Sequence, residues 1–152
     1  MMISSKGRYA LRVMLDMAEQ GGGEYIRLGD VAARQDISRK YLESIMPGLC
    51  RTGLVESALG KSGGYKLTRQ PSQYKVGEIL CAVEGELAPV ACLAREGRKC
   101  ERVDSCYTLP FWKGLEDQIN AYVNSYTLQD LLDLKTKDEC CCACGGKGDE
   151  TK

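Results

Sequence analysis

The sequence predicts a mainly α-helical protein with one small β-hairpin, and three observations predict it. Apolar residues recur at spacings of three and four through most of the chain, which is the period of a helix with one buried face. That period gives way to two short strand-like runs around the glycine-rich segment 59–64, as in a hairpin. From Phe111 to Tyr126 it returns as a narrow stripe, which predicts a long C-terminal helix that pairs with a partner.

Composition and length narrow the class of protein. The chain has 152 residues, of which 43% are hydrophobic, so it can bury a core without help from disulfides. No apolar run approaches the roughly 18–20 residues that cross a bilayer, and charges interrupt the N-terminal segment, unlike a signal peptide. We therefore expect a cytoplasmic protein with no membrane partner. The absence of histidine removes the commonest general base and predicts that the protein is not an enzyme.

The charge is unevenly distributed although its sum is zero. Residues 1–80 carry 12 Lys and Arg against 8 Asp and Glu, whereas residues 81–152 carry 9 against 13. The N-terminal half is therefore basic and the C-terminal half is acidic. A basic half is mild evidence for binding to nucleic acid, and the acidic half indicates that only one end would contact it.

Helical spacing predicts four helices in the N-terminal half, over residues 5–19, 28–35, 39–52 and 76–84. Asp36 lies in a tight turn between the second and third helices, and Ser38 caps the third. A hairpin of 54–58 with 65–68 follows. Two short helices joined by a tight turn and followed by a glycine-tipped hairpin describe a winged helix-turn-helix, which binds DNA. The alternative is a helical hairpin of an α-bundle, with its charges on a solvated face.

The candidate DNA-binding residues lie at the start of the third helix and at the hairpin tip, and they are Ser38, Arg39, Lys40, Glu43 and Lys61. Ser38 and the helix N-terminus can donate to phosphate. Arg39 and Lys40 can contact phosphates or guanine edges, and Lys61 can contact the backbone. Glu43 is the informative residue, because phosphates repel a carboxylate unless it accepts from a cytosine amino group.

The chain has nine cysteines and no secretory signal, which indicates metal, cluster or redox chemistry. Cys92, Cys100 and Cys106 lie in one loop among charged residues, which is not a core context. Three thiolates that bind iron would order such a loop, whereas the alternative is three ordinary thiols. Cys50 and Cys81 stand beside apolar neighbours on predicted helices, and core packing is expected for both.

The chain therefore divides into a winged helix-turn-helix domain, a cysteine-containing sensor loop, a dimerisation helix and a flexible cysteine-rich tail, over residues 1–84, 85–109, 110–134 and 135–152. The stripe of the long helix consists of Trp112, Leu115, Ile119, Tyr122 and Tyr126. It needs a partner, either the chain's own winged domain or a second copy. Its place after the DNA-binding unit favours a homodimer. Because a homodimer has two-fold symmetry, we expect it to bind a palindromic operator on double-stranded DNA.

The tail offers a different function. Its four cysteines are Cys140, Cys141, Cys142 and Cys144. If these were the working residues, the chain would be a zinc- or iron-handling protein, and DNA binding would be irrelevant to its activity.

The sequence resembles the Rrf-two family of bacterial transcription regulators, which includes regulators of the IscR, NsrR and CymR types. The resemblance runs from residue 2 to about 134 and is carried by SSKGRYALRVMLDMA, LGDVAARQDISRKYLE, GLVES with GKSGGYKL, YKVGEILCAVEG and CYTLPFWKGLEDQINAYVNSYTLQDLL. It implies a dimeric winged-helix regulator whose C-terminal helices pair, with repression as the expected direction. It also implies that Glu43 selects bases. Leu59 stands where relatives often carry arginine, so Lys61 is the basic residue of the wing tip.

The resemblance further implies that Cys92, Cys100 and Cys106 hold an iron–sulfur cluster, with [2Fe–2S] favoured, which senses cluster, redox or nitric-oxide status. Leu109 stands where IscR-type relatives have a histidine ligand, and Arg8 where NsrR-type relatives have an aspartate. The fourth ligand is therefore left open. The alternative within the family is a cluster-free, CymR-like repressor that acts with a protein partner.

Overall fold

A computed structural model describes residues 3–94 and 100–134 of the chain. Its helices are α1 (Ser5–Gly21), α2 (Leu28–Gln35), α3 (Arg39–Arg51), α4 (Val76–Glu84) and α5 (Leu109–Ser125), and its strands are β1 (Val55–Ala58) and β2 (Gly64–Leu67). Residues 128–134 are also helical. The mainly helical fold with one hairpin and a long C-terminal helix is thus confirmed, and most predicted bounds hold to within a residue or two.

The first three helices share one core. Each has an apolar stripe at helical spacing, and the three stripes face one another. The buried members from these helices are Ala10, Val13, Met14, Met17, Leu28, Val31, Ala32, Leu42, Ile45, Met46 and Leu49. This packing fixes the angle between α2 and α3, and so it sets the direction in which the outer face of α3 points.

The turn between α2 and α3 has a backbone conformation that few residues adopt. Asp36 has a φ of 52°, in the left-handed region that asparagine and aspartate tolerate better than most side chains. Its backbone N–H donates to the carbonyl of Ala32 and closes α2. The expectation of a tight turn at Asp36 is confirmed.

A buried ion pair holds the end of α2 against α1. Asp16 is 2% exposed and accepts from Arg34 Nη2 at 2.6 Å and from Arg34 Nε at 3.0 Å. Gln35 Nε2 donates to the same carboxylate at 3.0 Å. Because Arg34 and Gln35 immediately precede Asp36, this network anchors the turn from the α1 side.

The two strands form an antiparallel hairpin in which Val55 pairs with Leu67 and Ala58 with Gly64. Ile26, in the linker before α2, adds a two-bond bridge to Tyr65, with both N···O distances at 2.9 Å. Tyr74 is fully buried at the base of the hairpin and donates its hydroxyl to the Leu54 carbonyl at 2.9 Å. The hairpin is therefore fastened to the helical core at both its edge and its base.

Helix α4 connects the core to the C-terminal part of the chain. At its C-terminal end, Glu84 Oε1 accepts from Ser4 Oγ at 2.6 Å and from the Gly7 backbone N–H at 2.8 Å. A Cβ at position 7 would collide with that carboxylate, which explains the glycine. At its N-terminal end, the Val76 N–H donates to the Tyr126 carbonyl at 3.0 Å, which fixes the C-terminal end of α5.

Candidate DNA-binding face and cysteine loop

Helix α3 presents a polar face at its N-terminal end. Ser38 is its N-cap, and the Ser38 hydroxyl accepts from the Tyr41 backbone N–H at 3.2 Å. Because the apolar positions of α3 point into the core, Arg39, Lys40 and Glu43 are left on the outside, and all three are exposed. The structure thus brings these sequence-predicted residues together on one accessible surface.

Two of these side chains form an ion pair. Arg39 Nε donates to Glu43 Oε1 at 3.0 Å, and the two side chains are 70% and 50% exposed. In β2, burial is the main cause that raises the pKa of the Tyr65 hydroxyl, and Cys50 and the charge of Glu43 raise it further. Helix α3 packs against β1, so the hairpin lies next to this helix.

The hairpin tip is held in a defined conformation. Gly60 has a φ of 105°, which favours glycine, and a Cβ at Gly63 would collide with the Ala58 carbonyl. Arg27 Nη2 donates to the Lys61 carbonyl at 3.0 Å and ties the tip to the linker before α2. Leu59 and Lys61 are both exposed at this tip. Sequence reasoning missed Arg27, since nothing in its local sequence indicates a partner in the hairpin.

The cysteine loop is described on either side of residues 95–99. Cys92 and Cys100 are exposed, and Cys106 is half-buried. Among residues 3–94 and 100–134, the structure does not bring three cysteine or carboxylate side chains together as a group that could hold a metal ion. The three predicted ligands therefore lie in one loop but are not assembled around a common point within the described residues.

Cys106 has the most specific environment of the three. Its Sγ lies 3.4 Å from the Thr108 hydroxyl, just before α5 begins. That hydroxyl, with the backbone N–H groups of Thr108 and Leu109, lowers the pKa of the Cys106 thiol. Hydrogen bonds of this kind favour the thiolate, which is the form that binds metal.

Core packing was predicted for Cys50 and Cys81, and the structure confirms it for Cys50 only. Cys50 packs against the main core, and burial raises the pKa of its thiol, as expected for a packed cysteine. The core placement of Cys81 is wrong, because Cys81 is exposed on α4. A helix that buries Val76, Ile79 and Leu80 turns residue 81 away from the same core. The tail cysteines lie outside the described residues.

The long helix α5 divides its apolar stripe between two surfaces. Ile119, Val123 and Tyr126 pack against the small cluster around Val76 and Leu80 of the chain's own domain. Of the remaining large apolar side chains of the helix, Leu109 and Trp112 are half-buried, whereas Phe111, Leu115 and Tyr122 point outward and are 65%, 36% and 66% exposed. The helix therefore covers its own domain near its C-terminal end and keeps an apolar edge open to a partner.

The arrangement of helices, hairpin and loop matches a known group of proteins. Residues 3–134 match the model of the family described as Rrf2, iron-dependent transcriptional regulator. The chain belongs to the Rrf2 family. This is the Rrf-two family that the sequence motifs resemble, so the resemblance is confirmed.

Curated and solved members of the Rrf2 family agree with this assignment. The HTH-type transcriptional regulator IscR of Pectobacterium carotovorum is 38% identical over 135 residues, covering 89% of this chain and 81% of that protein. The structure of CymR, the global cysteine regulator of B. subtilis, is 30% identical with a TM-score of 0.70 and covers 88% of this chain and 98% of that one. IscR of T. potens is 32% identical with a TM-score of 0.66, covering 97% and 94%.

The family assignment settles the class of function. The chain is a DNA-binding transcription regulator with a winged helix-turn-helix and is not an enzyme. Within the described ranges, no helix has the length and apolar character needed to cross a membrane.

Proposed function

We propose that this Rrf2 regulator is a cytoplasmic homodimer that binds a palindromic operator and represses transcription in response to an iron–sulfur cluster on its cysteine loop. The observation that carries the proposal is the exposed polar surface at the start of α3, beside the hairpin. Ser38, Arg39, Lys40 and Glu43 lie on that surface, and Lys61 lies at the hairpin tip.

This surface suits double-stranded DNA. The start of α3 has the width to enter a major groove, and its N-terminal N–H groups and Ser38 face phosphates there. Arg39, Lys40 and Lys61 supply the cations that phosphates attract. Glu43 supplies base selection, because a hydrogen bond accepted from a cytosine N4 amino group compensates a carboxylate for phosphate repulsion.

The homodimer is supported by the open edge of α5. Phe111, Leu115 and Tyr122 form an exposed apolar row on one side of the helix, and aromatic residues of this kind are enriched at protein interfaces. Substituting Phe111 and Tyr122 by serine should convert a particle of twice the chain mass into a monomer in light scattering. Tyr107, which is fully exposed outside the helix, gives the matched serine control. A double variant that keeps the mass of the wild-type dimer would contradict the assignment of this face.

The donor set of the cysteine loop fits an iron–sulfur cluster. Cys92, Cys100 and Cys106 are three thiols of one loop, and the environment of Cys106 favours its thiolate. A bound cluster would supply redox and ligand sensitivity at this loop. The family description, iron-dependent transcriptional regulator, supports the same assignment.

The chain links the loop to the DNA-binding face through two elements. Cys106 lies just before α5, so a displacement of its Sγ is passed directly to the N-terminal half of that helix. Glu84, just before the loop begins, is bonded to the first turn of α1. Both links connect the loop to the contacts between α5 and the winged domain. In a dimer, those contacts would set the separation and tilt of the two α3 helices.

One experiment tests the iron-dependent DNA binding. The protein is purified without oxygen, its visible spectrum and iron content are recorded, and DNA selected by the iron-loaded protein is titrated with the iron-loaded and the chelated forms. We expect a coloured protein whose DNA affinity or site preference changes when iron is removed. A Cys92→Ala variant should lose both the colour and the change, whereas Cys81→Ala, at an exposed cysteine outside the loop, should keep both. If Cys92→Ala leaves the spectrum and the DNA response unaltered, the sensing assignment fails.

A second candidate is a cluster-free repressor that acts with a protein partner. The solved CymR structure favours it, since that regulator has the higher TM-score of the two solved relatives compared above. This candidate predicts a colourless protein after anaerobic purification, with DNA binding that does not respond to chelation. The same purification therefore separates the two candidates.

A further inference from the structure

The ion pair on the outer face of α3 leaves part of each side chain available. Arg39 engages Glu43 through Nε and Oε1. Within the described residues, no further hydrogen bond or ion pair involves the two terminal nitrogens of Arg39 or the second oxygen of Glu43. The end of the guanidinium fork and one carboxylate oxygen therefore remain free, side by side, on the surface assigned to DNA.

The ion pair contributes little to the stability of the fold. Both side chains are at least half exposed, at 70% and 50%, and exposed pairs four residues apart on a helix contribute little to folding. Its geometry does have a consequence for recognition. Nε holds the side of the guanidinium against Glu43, which places the carboxylate beside the arginine fork and offsets its charge as it approaches phosphates.

We propose that Arg39 and Glu43 read a single C·G base pair as one unit. In the major groove, a C·G pair presents one donor, the cytosine N4 amino group, beside two acceptors, guanine O6 and N7. The free groups of the ion pair are the complement: the second oxygen of Glu43 accepts, and the two terminal nitrogens of Arg39 donate. Arg39 is then both a base contact and the positioning residue for Glu43. The inference rests on the proposed DNA-binding role of α3 and adds that Arg39 contacts the guanine of the same base pair whose cytosine Glu43 contacts.

A competing role for Arg39 is a phosphate contact, which carries no sequence information. The two roles differ in how Arg39 and Glu43 combine. If both act on one base pair, the loss of either removes much of the same discrimination, and losing both adds little. If Arg39 binds phosphate, its loss lowers affinity for every sequence and leaves the preference of Glu43 intact.

The experiment selects binding sites from random duplex DNA with the full chain and with Arg39→Ala, Glu43→Ala and the double variant. Duplexes with each base pair at the selected position are then titrated. We expect the wild type to prefer C·G by about 10-fold or more at one position of each half-site. Each single variant should lose most of that preference at that same position, and the double variant should lose little more. Lys40→Ala is the matched control: it should weaken binding to all duplexes equally and flatten the salt dependence.

Three outcomes overturn the inference. One is an Arg39→Ala variant that keeps the full preference and binds every duplex more weakly, which makes Arg39 a phosphate contact. Another is a Glu43→Ala variant that selects the wild-type motif. The third is a wild-type chain that selects no motif, which removes the proposed DNA-reading role of α3 itself and so differs from the first two. Thermal unfolding of each variant should match that of the wild type, since both side chains are exposed.

Discussion

Replacing Asp16 tests whether the buried ion pair holds the helix-turn-helix together. The Asp16→Ala substitution removes a carboxylate that is 2% exposed and accepts from Arg34 and Gln35. Those two residues end α2 and precede the left-handed turn at Asp36. The substitution should therefore weaken global stability and also loosen the turn that orients α3, the helix proposed to contact DNA.

The expected loss of stability depends on how exposed Arg34, the partner of Asp16, is. Removing one member of a fully buried pair costs about 3–5 kcal/mol, because the remaining charge is left without water. Arg34 is 36% exposed and can recover part of its hydration, so a loss of about 2–3 kcal/mol is expected. For a chain of this size, that corresponds to a melting temperature lower by about 4–12 °C.

The assay is urea denaturation followed by circular dichroism, with DNA affinity measured on the same preparation. Asp30→Ala is the matched control, since Asp30 is an exposed carboxylate in the first turn of α2 that acts on Arg34 through its charge alone, and it should change stability by less than about 1 kcal/mol. The Asp16→Ala variant should also bind DNA more weakly than this control at temperatures where both are folded. Equal stability of the two variants would refute the role assigned to the pair.

Three further substitutions probe other contacts. Tyr74→Phe removes the shortest hydrogen bond to the Leu54 carbonyl, which Thr68 also contacts, and it removes the acceptor of the Arg69 backbone N–H. It should lower the free energy of unfolding by about 1–2 kcal/mol in urea titration, while an unchanged value would contradict it. Gly77→Ala places a Cβ against Asn124 of α5 and should destabilise the α4–α5 contact by about 1–3 kcal/mol; an unaltered melting temperature would exclude the close approach. Hydrogen bonds from Lys66 and then Tyr25 lower the pKa of Glu56, so its contribution to stability is present at neutral pH and is lost as the pH falls through that lowered pKa. Lys66→Met should raise the Glu56 pKa towards its ordinary value in an NMR titration, and an identical titration curve would contradict the assignment.

Local chemistry made the helix-turn-helix predictable. Ser38 is an N-cap by residue type, and the structure shows its hydroxyl accepting from the first turn of α3. Asp36 tolerates positive φ, and the turn places it there. The apolar spacing of α3 assigned its inner and outer faces, so the exposure of Arg39, Lys40 and Glu43 follows directly.

Contacts between distant segments were not predictable in the same way. The Glu84 carboxylate reaches the N–H of Gly7 across 77 positions of sequence, and no local pattern marks either residue as a partner. The apolar stripe of α5 was predicted from the sequence. Which of its residues cover the chain's own domain and which stay exposed was not predicted, because a second copy would offer the same kind of apolar surface. For Cys81, apolar neighbours suggested burial, whereas the rotation of α4 decided its exposure.

Helix α5 is fixed to the rest of the chain by backbone hydrogen bonds near its C-terminal end, so a rotation there displaces its N-terminal end most. Its 17 residues span about 25 Å, and beside its last turn the chain is tethered by a two-bond bridge, in which the Val76 N–H donates to the Tyr126 carbonyl and the Leu128 N–H donates to the Tyr74 carbonyl, both at 3.0 Å. A pivot of about 10° at that tether would sweep the far end, next to Cys106, through about 4 Å, given the rise of an α-helix. In the proposed dimer, a small displacement of the Cys106 thiol and a larger change in the spacing of the two subunits would thus be parts of one motion, amplified by the length of the helix.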